Sequence, residues 1–383
     1  MRTLRVLIAT LCISSVLSGC SLSYYWQAVG GQLDLLRKRM PIEEVLERAE
    51  TSPQTRESLR QVLEIRRFAT TELGLPDNGS YRSYVDLGRA YVVWNVVAAE
   101  EFSVEPIRWC FPFAGCVSYR GYFDEQAARR FSAHLDAEGF DTTVGGTTAY
   151  STLGYFADPV LNTMIESGGQ SIVALLIHEL AHQRFYLKDD SELNEAFATA
   201  VEEYGTELWL MRAGDQDAIA EYRARMRRRT DFSKLVTDQQ ERLRAVFDRG
   251  DSEESKRVAK QDTFDVMRAE YEALRRTWGE AGDYDAWFDR PLNNAHLVSV
   301  ATYRRWLPGL RWLLEGQGLE GFYGQMEALE DLSLSERRAR LEEWLGEAFN
   351  LQTADGTERT VAGADSVAPV PWENPCHGRR VNS

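Results

Sequence analysis

The chain has 383 residues and is acidic, with 44 Lys and Arg against 59 Asp and Glu and a formal net charge of −15. A body of that sign neither tracks phosphates nor adsorbs to anionic headgroups, so nucleic acid is excluded as a partner. The length suits one large domain or two, and no Pro/Ser/Gly-rich linker divides residues 30–350, so one catalytic unit is expected there.

The N-terminus reads as an address. Arg2 and Arg5 precede an apolar stretch at 6–16, too short to span a bilayer, and Leu17-Ser18-Gly19-Cys20 forms a lipoprotein cleavage box. Residues 1–19 are expected to leave as a signal peptide. That removes two arginines and no acid, taking the charge from −15 to −17. Cys20 then becomes the mature N-terminus, and acyl chains on it would attach the protein to a membrane.

Residues 32–75 carry helical spacing, with Leu35-Leu36, Ile42, Val45-Leu46 and Leu59-Val62-Leu63-Ile65 as apolar faces. Strand composition follows at 90–99, at Arg108-Trp109 and at 117–123, which predicts an antiparallel sheet. Cys110 and Cys116 bracket a turn-forming loop that could close a disulfide in an oxidising compartment. A zinc site there is the alternative, but no further Cys or nearby His completes four ligands. Cys12 leaves with the signal peptide, and Cys376 has no obvious partner. Asp124 caps a helix reaching Glu138, whose His134 reads as surface or packing. Residues 142–151 read as a further strand, along whose edge a peptide could add.

An apolar run at 172–177 leads into His178-Glu179-Leu180-Ala181-His182. Two histidines one helical turn apart leave the same face and can grip one tetrahedral metal, with Glu179 beside them toward a metal-bound water; this is a zinc peptidase signature. Charged groups on a buried helix are costly unless they bind something. Twelve residues separate His182 from Glu195, enough for the helix to end around 188–190, a second to start near Ser191, and Glu195 to return as third ligand. Glu202, two turns after Glu195 on the same face, is placed to receive the other N–H of a ligating imidazole. Glu203 reads as solvated surface.

Helices are then expected at 192–213, 215–228, 232–249, 252–278, 293–314 and 335–349, with the basic run 223–229 as a solvated face. Residues 351–383 read as a flexible tail. The fold class is α+β, mostly helical, with the catalytic portion at 20–350.

The segment His178-Glu179-Leu180-Ala181-His182-Gln183 followed by Asn194-Glu195-Ala196-Phe197-Ala198 resembles the gluzincin metallopeptidases, in particular the M1 aminopeptidase pattern, with a shorter gap between the second His and the Glu. Ser18-Gly19-Cys20 with Tyr24-Tyr25, residues 110–122, Ala149-Tyr150-Ser151-Thr152-Leu153-Gly154 and Asn293-Asn294-Ala295 are similar to the bacterial lipoproteins of the putative aminopeptidase family, over roughly residues 15–350. These resemblances imply a zincin-like fold with a small antiparallel sheet beside the active-site helix. They also imply an oxyanion-stabilising Tyr or His on a later helix, with Tyr303 favoured over His296. Ser21 lacks the aspartate of inner-membrane retention, which implies the periplasmic face of the outer membrane.

The expected activity is that of a membrane-anchored peptidase with one Zn2+ per chain on His178, His182 and Glu195, Glu179 as base and peptides as substrates. Aminopeptidase is set ahead of endopeptidase on the resemblance. Residues 145–154 contain no acid, so a carboxylate that recognises a free amine must come from another element. The remaining alternative, a non-catalytic cell-envelope scaffold lipoprotein, fits poorly because structural zinc prefers four closed ligands.

Overall fold

The computed structural model describes residues 20–111, 115–166, 168–301 and 305–354; the expected signal peptide, Tyr303 and residues 355–383 of the expected tail lie outside them. The described chain is mostly helical α+β, with three small sheets. Its strands are β1 (Met40–Pro41), β2 (Ser83–Val85), β3 (Val93–Glu100), β4 (Trp109–Phe111), β5 (Gly115–Val117), β6 (Arg120–Tyr122), β7 (Phe140–Thr147) and β8 (Val160–Leu161).

The largest sheet is antiparallel in the order β6–β3–β7, so β7 is an edge, in register from Val93 opposite Thr147 to Glu100 opposite Phe140. The expected strand at 142–151 ends at Thr147, because the residues beyond bond elsewhere. Thr148 O accepts from the Thr163 hydroxyl, and Thr152 donates to Asp158. A second sheet, β1–β2–β8, contains the parallel pair β2–β8.

Two central helices, Gly169–Arg184 and Ser191–Ala213, carry the His-Glu motif and the Asn-Glu segment. Their apolar faces meet through Ile172, Leu176, Ile177, Ala196, Phe197 and Val201, all buried in the main core. Gly205 lets this layer close: a Cβ there would fall 2.5 Å from Leu73 Cδ1 and 3.1 Å from Ile177 Cδ1. The Pro53–Thr71 and Leu307–Ala328 helices pack on the outside. A second core joins Phe232, Leu243, Phe264, Met267 and Phe288.

Two expected helix boundaries are corrected. The break between 228 and 232 is absent, and Gln216–Phe247 is one helix of 32 residues. Residues 228–232 contain no Gly or Pro, and their polar groups find partners: Arg229 with Glu202, Asp231 with the Trp278 indole. The single helix expected at 293–314 is instead two, Asn294–Ala301 and Leu307–Ala328, and Pro308 sits in the first turn of the second, where a missing N–H costs nothing. Glu203, read as solvated surface, is buried and paired with Arg311.

Cys110 and Cys116 are joined by a disulfide that closes the β4–β5 hairpin. The hairpin is docked on the turn between the central helices. Cys116 N–H donates to Asp189 Oδ1 at 2.7 Å, and Arg108 donates to Asp189 O at 3.1 Å. At Gly115, φ is +75° and a Cβ would strike Asp189, so this position requires glycine. Replacing both cysteines by serine should lower stability by about 2 kcal/mol, the loop-closure value for so short a link. Urea unfolding measures it, and an unshifted midpoint would show that the hairpin holds without the bond.

Candidate metal centre

The Gly169–Arg184 helix ends where Phe185 turns extended, and Asp190 caps the next helix by accepting from Leu193 N. The short turn between is clamped by Asn194, which accepts from Leu187 N–H and donates to Leu187 O, both at 2.7 Å. This double bond pattern explains an Asn immediately before Glu195: the side chain fixes the turn that brings Glu195 back over the histidines.

His178, His182 and Glu195 form one group whose ligand atoms lie within 4.8 Å of one another. The two Nε2 atoms are 3.1 Å apart, His178 Nε2 is 3.4 Å from Glu195 Oε2, and His182 Nε2 is 3.7 Å from Glu195 Oε1. A tetrahedral ion with bonds near 2.0–2.1 Å holds its donors about 3.3 Å apart, so this trio fits a metal ion in both donor chemistry and spacing.

His178 Nδ1 meets Glu202 Oε2 at 3.0 Å, and the other Glu202 oxygen accepts from Arg229 Nη1 at 3.0 Å. Burial disfavours the charged form of Glu202, but Arg229 and His178 outweigh it and hold its carboxyl below the usual range. Burial likewise works against a charged His178, yet hydrogen bonds to Glu195 and Glu202 raise it well above the ordinary imidazole value. Glu179, half-buried beside them, is pushed up by desolvation despite the pull of His178 and His182.

These residues form one wall of a cavity of about 1280 Å³. The cavity is also lined by residues 146–153 at and beyond the end of β7, by Ser118, Tyr119 and Phe123, and by Tyr24, Ala28 and Gln32 of the N-terminal Cys20–Lys38 helix. Burial pushes the Tyr119 hydroxyl up, and the charge of Glu195 acts in the same sense. Asp158 lies beneath the 151–152 turn, where burial raises it to about 6 while both oxygens accept from Thr152.

His296 does not join the group. Its Nδ1 is bonded to Asn293 Oδ1 at 2.8 Å and its Nε2 to Thr143 Oγ1 at 3.2 Å, and it does not line the cavity. Burial, reinforced by Arg290 and Arg268, lowers it to about 4, so it is a neutral packing histidine. Arg229 is the residue that the sequence reading missed. It lies 27 positions after Glu202, and no local spacing announces that contact.

No curated protein and no solved structure matches the chain. The family model described as "Putative aminopeptidase" matches residues 23–341. That span covers most of the chain and contains the donor trio, Glu179, Glu202 and the cavity they line, so the chain belongs to the putative aminopeptidase family.

Proposed function

We propose that the chain is a zinc-dependent aminopeptidase, tethered by lipid on Cys20 to the periplasmic face of the outer membrane. The observation that carries the catalytic part is the convergence of His178, His182 and Glu195 next to Glu179 on one cavity wall. Three donors leave a fourth position open, which suits catalysis better than a closed structural site. When bound, zinc lowers the pKa of a coordinated water toward about 7 and polarises a carbonyl.

Each protein group then has a defined task. Glu202 accepts the Nδ1 proton of His178, which leaves the Nε2 lone pair facing the donor group. Glu179, made more basic by desolvation, accepts a proton during attack and returns it to the leaving amine. Tyr303 is the proposed oxyanion donor, supported by the gluzincin resemblance.

Glu179→Gln should keep about one zinc per chain while turnover falls about 10²–10⁴-fold, because the amide keeps the shape and cannot take the proton. His178→Ala should lose the metal. Metal analysis alongside peptide hydrolysis decides both, and near-normal turnover in Glu179→Gln would end the mechanism.

An endopeptidase reading is favoured by one observation. The carboxylates lining the cavity, among the described residues, are Glu179, which the mechanism uses as base, and Glu195, Glu202 and Asp283, which are held by histidine or arginine. A free substrate amine therefore has no idle acid to meet. Peptides with free N-termini should nonetheless be cleaved faster than their N-acetylated forms, with single residues released. Equal rates with internal cleavage would replace aminopeptidase by endopeptidase and leave the zinc chemistry standing.

The anchor is supported by the Leu17-Ser18-Gly19-Cys20 box. Mass spectrometry of the membrane fraction should find acylated Cys20, and Cys20→Ser should move the protein to the soluble fraction. Unchanged fractionation would refute the tether.

A further inference from the structure

The cavity extends past the donor trio along the Gly169–Arg184 helix, whose Ser171, Ala174, Leu175 and His178 follow one another along its wall. At the far end it is lined by Arg225 and Arg229, one turn apart on the same face of the Gln216–Phe247 helix. The two guanidiniums differ in their partners. Arg229 gives one amino group to Glu202. Arg225 meets a neutral acceptor, Gln170 Oε1, at 3.0 Å, and stands 5.5 Å from the centre of the Tyr222 ring. No acid within ion-pair distance of Arg225 is found among the described residues, and the one other carboxylate at this end, Asp283, is held by Arg228 at 2.6 Å.

A half-buried cation in a cavity wall, stacked on an aromatic ring and given only an amide oxygen, keeps donors for an incoming anion. The spacing says which anion. Ser171, next to Gln170, and His178 are seven residues apart on the helix, or about 10 Å along its axis. Extended peptide advances about 3.3–3.6 Å per residue. Three residue steps therefore cover that span, and a chain with its first carbonyl at the donor trio brings its C-terminal carboxylate within reach of Arg225 at a length of about four residues.

We propose that Arg225, with Arg229 one turn along, forms a carboxylate subsite that selects short peptides, of about four residues, by their C-terminus. This rests on the peptidase reading for the orientation of the chain, but the subsite can be tested without turnover. Calorimetric titration of the zinc-loaded Glu179→Gln protein with tetra-alanine and with tetra-alanine amide should show the free acid binding about tenfold more tightly, as a charge-assisted bond implies. Adding Arg225→Gln should bring the two dissociation constants within about twofold.

Equal affinity for acid and amide, absence of binding by either peptide, or an acid preference that survives Arg225→Gln would each overturn the subsite. Hydrolysis by the wild-type protein is the separate arm. If neither peptide is cleaved while the acid preference and its loss in Arg225→Gln are both seen, the peptidase reading fails and the carboxylate subsite stands.

Discussion

A buried carboxylate needs partners for its charge, and Glu202 finds them on both sides, in His178 and Arg229, each 3.0 Å away. Taking an ionised group out of water costs several kcal/mol unless charge and hydrogen bonds replace the solvent. Glu202 therefore ties three helices together: Gly169–Arg184 through His178, its own Ser191–Ala213, and Gln216–Phe247 through Arg229. Removing Arg229 would leave a buried charge answered only by an imidazole. The same contact governs chemistry, because a carboxylate on Nδ1 selects the tautomer whose Nε2 is free to bind metal.

The next residue repeats the constraint in another direction. Successive positions on a helix point about 100° apart, so Glu203 feels Arg229 only at longer range and makes its direct ion pair with Arg311 of the Leu307–Ala328 helix. At the start of the same helix Asp190 is buried against Arg337 at 3.0 Å. Three buried acids on or next to one helix thus each claim an arginine from a different helix. The apolar contacts of the core, being non-directional, set how close the helices lie; the charge pairs set their register.

What the sequence made legible was what is local. Each such feature is a spacing within one helix or across one short connection: four residues from His178 to His182, seven from Glu195 to Glu202, a single turn from His182 to Glu195 and the Cys110–Cys116 loop, and the structure brings each set together. Charge suggests exposure for Glu203 and Arg229, and what contradicts it is not local: their partners lie 108 and 27 residues away on other helices. His296 is a candidate by resemblance and by order along the chain, neither of which fixes where a ring points; here the ring turns to Thr143, Asn293 and Trp287. Pro308 marks a helix start, but apolar positions continue on both sides of it, so periodicity alone runs the two helices together.

The short connection between His182 and Glu195 has its own cost. Asp189 is held at φ +68°, in the left-handed region that side chains other than Gly, Asn and Asp rarely accept. An aspartate tolerates that backbone, and here its side chain is also used, accepting Cys116 N–H while its carbonyl accepts Arg108. The disulfide-closed hairpin therefore braces the strained point of the turn from outside, while Asn194 clamps it from within through Leu187. Two independent braces on so few residues make the turn rigid. Rigidity is what lets a carboxylate on one helix keep within 3.4–3.7 Å of imidazoles on another.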